Sequence, residues 1–397
     1  MSTDLPAGLA PARVAFYNDP KVRSLAYQVA LCAVIGFLVY AAVSNAITNL
    51  ERAHIASGFG FWHNNAGFDI SQTLIPYDSE SSSYGRAFWV GLLNTLLVAS
   101  LGIVIATVLG FVVGIARLSK NWLVSKAATG YVETIRNIPL LLQLLFWYNA
   151  VLKALPEMHD SFKIPGGIFL NNRGLFVPQP IYGHGFAWVE IACAAGIVGS
   201  IGYYVWARKR QEHTGQQAPV ALVALALVIG LPLAIFALAG FPLSFEFPQG
   251  GRFNINGGVE ILPEFAALLF GLSIYTAAFI AEVVRAGILA VSGGQTEAAY
   301  SLGLRARPTL RLIVVPQAMR VIIPPLTSQY LNLTKNSTLA VAIGYPDLVQ
   351  VFTGTVLNQT GQAVEVVAIT MAVYLTISLA TSLLMNLYNS RIALVER

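Results

Sequence analysis

The chain has 397 residues, of which 56% are hydrophobic and 11% charged, with a mean hydropathy of +0.65. That is far more apolar surface than a soluble domain buries, so the chain reads as an all-α integral membrane protein. Its net charge of +5 does not point to nucleic acid, because the basic residues stand in short clusters beside apolar runs, as positive-inside topology arranges them.

A polar segment, about 1–20, precedes a first apolar run at about 25–47. That run is longer than a signal-peptide core and lacks a small-residue cleavage pattern, so it reads as a true span. Crossing the hydrocarbon takes about 20 mostly apolar residues. Seven further stretches meet this, at about 88–115, 131–152, 186–206, 219–240, 262–288, 311–333 and 364–387. Every second connection is basic: Arg13, Lys21 and Arg23 precede the first span, Arg117, Lys120 and Lys126 follow the second, Arg208, Lys209 and Arg210 the fourth, and Arg305, Arg307 and Arg311 the sixth. The others carry acids, among them Asp69, Asp78, Glu80, Glu246 and Glu260. Eight spans with both termini in the cytoplasm follow from this pattern.

Two segments, about 155–185 and 240–260, are rich in Pro, Gly and Asn and too polar for lipid, so they read as external loops. With the fourth and fifth spans they form a unit, 155–260, that can be lifted out without reversing the remaining topology, as an insertion would. The chain then divides into 1–87 (tail, first span and external loop), 88–154 (first part of the core), 155–260 (insertion) and 261–397 (second part of the core). Gly91-Leu92 with Thr95 and Gly271-Leu272 with Thr276 are similar span openings, too short to count as a repeat. Cys32 and Cys193 read as small core residues, and His54, His63, His159, His184 and His213 show no i, i+4 pair that would suit a metal.

The connection at about 292–308 is the most informative part of the chain. Ser292-Gly293-Gly294-Gln295 fits a capping box, which predicts a helix running through Glu297, Ala298 and Ala299 until Gly303 ends it in a left-handed conformation. Pro308 can then open a second short helix. Physics alone leaves two readings, a capped connector or a lever gripped by another protein. Further on, Pro316, Pro324 and Pro325 interrupt the seventh span, and broken helices at membrane depth line cavities. Lys335 at its outer end either snorkels to the headgroups or serves such a cavity. Glu282 and Arg285 stand three apart, as do Glu133 and Arg136. The second pair reads as structural, helping to position a kink at Pro139, and Phe146-Trp147-Tyr148 as interfacial anchors.

Glu297-Ala298-Ala299, Gly303, Ile313 and Pro316 resemble the EAA loop of binding-protein-dependent ABC importer permeases, with Val315 where that pattern usually has Leu. Tyr131-Val132-Glu133, Arg136, Pro139 to Gln143, Ala278 to Gly287, Pro316-Gln317-Ala318 and Lys335 to Leu339 are similar to signatures of its polar amino-acid branch, the histidine, glutamine and arginine permease family. Asn137-Ile138 replaces the Gly-Thr common there. The extra first span and the insertion look most like one of the two unequal permeases of a general L-amino-acid importer.

The resemblance implies a type I ABC importer permease core with an inserted helix pair, in the bacterial inner membrane. It implies a second, homologous permease, two cytoplasmic ATPase subunits that carry the ATP and Mg, and a periplasmic amino-acid-binding protein, with no cofactor in this chain. Gln295, Glu297, Ala298, Ala299 and Gly303 would couple to the ATPase. Lys335 would face the substrate carboxylate, with hydrogen bonds from Asn336, Ser337 and Thr338. Glu282 is a candidate acceptor for the ammonium, or else a partner neutralised by Arg285. Ser273, Tyr275 and Thr276 suggest a small neutral pocket of broad specificity. No Gly-Lys dipeptide occurs, so no phosphate loop is present and nucleotide hydrolysis belongs to another chain. An ion-coupled secondary amino-acid transporter is the alternative, although it has no need of the EAA loop.

Overall fold

The computed structural model describes residues 20–52, 58–251 and 254–392; the polar N-terminal segment with Arg13, and His54, lie outside them. Five crossings are single helices, α1 (Pro20–Arg52), α2 (Tyr84–Arg117), α5 (Phe186–Thr214), α8 (Pro263–Leu289) and α13 (Ala363–Ile392). The fifth crossing joins α6 (Val220–Leu225) to α7 (Leu231–Leu238) through a π-turn. The seventh runs from α10 (Ala306–Thr309) through a π-turn into α11 (Val315–Asn336) and a 3₁₀ extension to Ile343. The third is α3 (Trp122–Asn137) followed by α4 (Leu140–Leu145) with a π-helical extension to Leu152. Among the described residues, 7 helices are long and apolar enough to cross alone, or 8 spans if the bent α3–α4 pair is one. α9 (Gly293–Ser301) lies between α8 and α10, and α12 (Leu357–Thr360) precedes α13.

Two spans differ from expectation. The third starts at Trp122 rather than 131 and bends by 105°. Pro139 has no N–H for the Ile135 carbonyl, and it drives Ile138 into extended backbone (φ −98°, ψ 128°). Gln143 Nε2 fills the gap, donating to Ile135 O and Ile138 O at 2.9 Å each. The seventh span is not interrupted at Pro324 and Pro325, which lie inside a continuous α11. It changes instead at Ser337, where the helix tightens to 3₁₀ and ends on Gly344 with φ +77°.

Small residues bring the central helices together. Gly102, Ala106, Gly110 and Gly114 recur every fourth residue of α2; Gly110 and Gly114 face α8, and Gly102 meets Leu333 of α11. A Cβ at Gly110 would lie 2.5 Å from Ile280, and one at Gly114 2.7 Å from the Ala281 carbonyl. α11 takes the next face of α8, where a Cβ on Gly287 would come 2.3 Å from Ile322. One core cluster gathers Val98, Leu144, Leu268, Leu272 and Tyr345; a second gathers Ala106, Ile280, Val284, Ile322 and Leu333.

The stretches expected as external loops carry eight short strands among the described residues. β1 (Phe162–Ile164), β2 (Ile168–Asn171), β3 (Gly174–Val177) and β8 (Val259–Ile261) form an antiparallel sheet in that order. β4 (Gln179–Tyr182) pairs with β5 (Leu243–Glu246), and β6 (Gln249–Gly250) with β7 (Ile255–Asn256). The pair β3–β8 joins the two ends of the segment across 82 to 86 residues of sequence and β4–β5 across 61 to 67, so their partners are invisible to any local pattern. Between them α5 packs on α6 and α7, closely enough that a Cβ on Gly196 would fall 2.1 Å from Leu227 O.

The cysteines are not core residues. Cys32 and Cys193 are both exposed, on the long apolar helices α1 and α5. α1 is exposed throughout 23–40.

Candidate coupling helix and translocation face

α9 stands between α8 and α10 at the end of the bundle that also carries Arg117. The expected capping box does not form, since the Ser292 side chain makes no cap hydrogen bond and the turn closes through Gln295 N donating to Ser292 O (3.1 Å). The expected stop does form. Gly303 adopts φ +78°, Gly303 N donates to Tyr300 O (2.9 Å) and Leu304 N to Ala299 O (3.1 Å), the paired bonds of a Schellman closure. Gln295, Glu297, Ala298 and Gly303 are exposed, as are Tyr300 and Leu302, whereas Ala299 is buried. The helix thus anchors by one alanine and presents a carboxylate, small side chains and an apolar rim outward, a surface suited to a protein groove.

The Lys335 to Thr338 turn ends α11. Lys335 is exposed, and neither it nor Asn336 makes a side-chain hydrogen bond among the described residues. Ser337 is fully buried and donates to Thr334 O (2.8 Å), while Thr338 donates to Lys335 O (2.8 Å). Both hydroxyls secure the turn with their protons; Thr338 is half-buried, whereas Ser337 is closed off within the packing. Ser273 and Thr276, expected to line a pocket, are buried in helix packing at 1% and 3% exposure. Tyr275 is half-buried, with its ring 4.9 Å from that of Phe279.

Glu282 is occupied. Arg285 binds it through two hydrogen bonds, Nε to Oε2 (3.1 Å) and Nη2 to Oε1 (2.6 Å), and Arg117 Nη1 donates to Oε2 as well. Of its two readings, the structure shows the neutralised partner. The Glu133–Arg136 pair is corrected: Glu133 pairs with Arg117 (3.5 Å), because α2 packs beside α3 and Arg117 reaches both acids. Arg136 instead lies 5.1 Å over the Phe279 ring. Glu282, Arg136, Pro325 and Gln329 share a cavity of about 500 Å³. Gln329 is six residues from Lys335, roughly 9 Å at 1.5 Å per residue, so the two groups of expected substrate contacts lie at different depths. Phe146, Trp147 and Tyr148 also divide. Phe146 is exposed, while Trp147 and Tyr148 pack on the core and the Tyr148 hydroxyl donates to Glu264 (2.6 Å).

A buried polar network in the connection from α11 to α13 carried no sequence signal. Asp347 is fully buried; its Oδ1 accepts from Gln350 N (2.8 Å) and its Oδ2 from the Tyr374 hydroxyl (3.4 Å). Burial pushes its carboxyl up to about 7. Next to it Asn94 Nδ2 donates to Gln72 O and Pro346 O, and Leu348 N donates to Thr95 Oγ1 (3.0 Å). These bonds tie the connection to α2.

The family described as the binding-protein-dependent transport system inner membrane component matches residues 214–394. The general L-amino acid transport system permease AapQ of Rhizobium johnstonii is 53% identical over 385 residues, 97% of this chain and 96% of that protein. The chain belongs to this permease family. The putative amino-acid ABC transporter permease YhdX of Escherichia coli is also 53% identical, over 96% of this chain and 97% of its own length. BztB of Rhodobacter capsulatus, a glutamate/glutamine/aspartate/asparagine transport permease, is 42% identical over 96% of both. This permease is therefore a multi-pass membrane component of a translocation system, and its α9 is the segment whose EAA residues the sequence singled out.

Proposed function

We propose that this permease forms the translocation path of an ATP-driven importer of L-amino acids in the bacterial inner membrane. The observation that carries the reading is α9, a nine-residue helix with an exposed Glu297 and a closure at Gly303, held between two spans. In this reading the basic end faces the cytoplasm, as do both termini. α9 docks on a separate ATPase, two copies of which hold the ATP and Mg and do the hydrolysis. A second, homologous permease completes the path, and a periplasmic binding protein delivers the cargo. Closure of the ATPase pair moves α9, and with it α8 and α11, as a lever.

The relatives' amino-acid cargo supports the same cargo here, and the range of names among them supports a broad specificity. Lys335 faces the substrate carboxylate, with Asn336, Thr338 and Tyr275 around it, while Ser273, Thr276 and Ser337 back the wall. Segment 155–260 is an insertion on the 88–154 and 261–397 core, a reading supported by the pairing of β3 with β8 at its two ends.

Purification of the assembly with mass spectrometry of its chains, followed by amino-acid-stimulated ATP turnover and uptake in proteoliposomes, tests the reading. Glu297→Lys is expected to abolish ATP-dependent uptake by placing a cation where the groove receives a carboxylate. Uptake that survives this change and needs no ATP would leave ion-coupled transport as the mechanism. Lys335→Ala is expected to lower substrate-stimulated turnover, and unchanged turnover would place that lysine outside the path.

A further inference from the structure

We infer that the cavity between α3, α8 and α11 is a second carboxylate-binding site, with the Arg136 guanidinium as its recognition group. The inference rests on the reading of the chain as an amino-acid permease. At about 500 Å³ the cavity lies within the range of small-molecule sites, about 300–1,000 Å³. Ala286 and Gly287 line it on the α8 side, and Pro325 and Gln329 on the α11 side.

Charge decides what it takes. Two of the residues lining the cavity are charged, Arg136 and Glu282, and Glu282 is already held by Arg117 and Arg285. Arg117 also engages Glu133, whereas Arg285 engages Glu282 alone. Arg136 forms no ion pair among the described residues, and its Nε is shut off from solvent without an acceptor. Donors left in that state carry a desolvation penalty that an incoming acceptor removes. The Phe279 ring, 5.1 Å away, supports the guanidinium from one side. A planar guanidinium held this way suits the two oxygens of a carboxylate, and the Gln329 amide offers a polar contact across the cavity. Glu282 lies seven residues before the end of α8 at Leu289, about 10 Å by helical rise. The site is therefore nearer the α9 end than Lys335 is. An outer lysine and an inner arginine stand at two depths, and the carboxylate passes from one to the other.

The test is equilibrium binding of radiolabelled L-glutamine, and of its α-carboxamide analogue, to the permease–ATPase assembly in nanodiscs without binding protein. With the Lys335→Ala permease, a preference for the carboxylate over the carboxamide is expected to remain. Adding Arg136→Gln is expected to remove about 10-fold or more of that preference, the size of a charge-assisted hydrogen bond. Arg136→Lys, which keeps the charge without the fork, loses part of it and serves as the readout if the glutamine variant does not assemble. A carboxylate preference absent from Lys335→Ala, or unmoved by either Arg136 variant, overturns the inference while wild-type uptake leaves the importer reading standing. An Arg136→Gln assembly that loses its second permease but keeps the preference also overturns it, since the acceptor is then a side chain of that subunit. Wild-type permease that neither binds nor imports amino acids removes both readings.

Discussion

Replacing Asp347 with Asn is expected to stabilise the fold at neutral pH and to flatten its pH dependence. The carboxyl lies in the connection between α11 and α13, fully buried, and burial pushes it from 3.8 to about 7. A group with a raised folded-state pKa contributes most at low pH. Below about 4 both the folded and the unfolded chain hold the proton, and the contribution is fully present. Between about 4 and 7 the unfolded chain ionises first, so stability falls; above that window the deficit is constant. At about 1.4 kcal/mol per pH unit the window is worth roughly 4 kcal/mol, an upper bound for the gain from Asn. The amide keeps an oxygen for Gln350 N, and the Tyr374 hydroxyl can accept where it now donates. Thermal unfolding in detergent at about pH 4.5 and pH 8 is the assay. The variant should match the wild type at the lower pH and exceed it at the higher. Parallel pH profiles for the two proteins, or an Asn variant less stable at pH 8, would refute the reasoning.

Three further changes probe the packing. Arg117→Gln withdraws a guanidinium whose side chain is 9% exposed from two carboxylates; because Glu133 is 58% exposed and Arg285 still holds Glu282, the loss is about 1–3 kcal/mol rather than the 3–5 of a fully buried pair. A lowered melting temperature in detergent checks it. Gly196→Ala places a Cβ 2.1 Å from Leu227 O and should cost about 1–3 kcal/mol, read as faster proteolysis between α5 and α6. Gln143→Leu removes both donors at the Pro139 bend, again about 1–3 kcal/mol, and spin labels on α3 and α4 should report a broader spread of distances around the 105° bend.

Much of the architecture was legible because the bilayer imposes a strong and local rule. A run such as 219–240 is apolar for as long as a crossing requires, and it recurs as Val220–Leu238. The stop at Gly303 was legible for a similar reason, since a backbone at φ +78° favours the one residue without a Cβ. The capping box was a weaker inference. Its Ser and Gln fit the pattern, yet the turn at Ser292 closes through backbone alone. Pro324 and Pro325 show the same weakness in reverse, because a helix packed on α8 and α13 tolerates two prolines that would break an isolated one.

The charged residues were the least legible. Arg136 and Glu133 share a helix face at i, i+3, which suggested a pair worth a few tenths of a kcal/mol. Arg117, distant in sequence by 16 residues from Glu133 and by 165 from Glu282, takes both acids because α2 runs beside α3 and α8. Asp347 carried no signal at all, since nothing in Tyr345-Pro346-Asp347 indicates that Tyr374 and Thr95 will close over it.

By itself the sequence determined the membrane class, the positions of the long apolar helices, the place of α9 and its closing glycine, all consequences of length, hydropathy and backbone conformation within a few neighbouring residues. Tertiary structure alone decided which charges pair, which polar side chains are buried, how the insertion ties its ends with strands, and that Arg136 is left facing a cavity. Those outcomes depend on which helices become neighbours, and electrostatic and desolvation energies follow distance in space rather than distance along the chain.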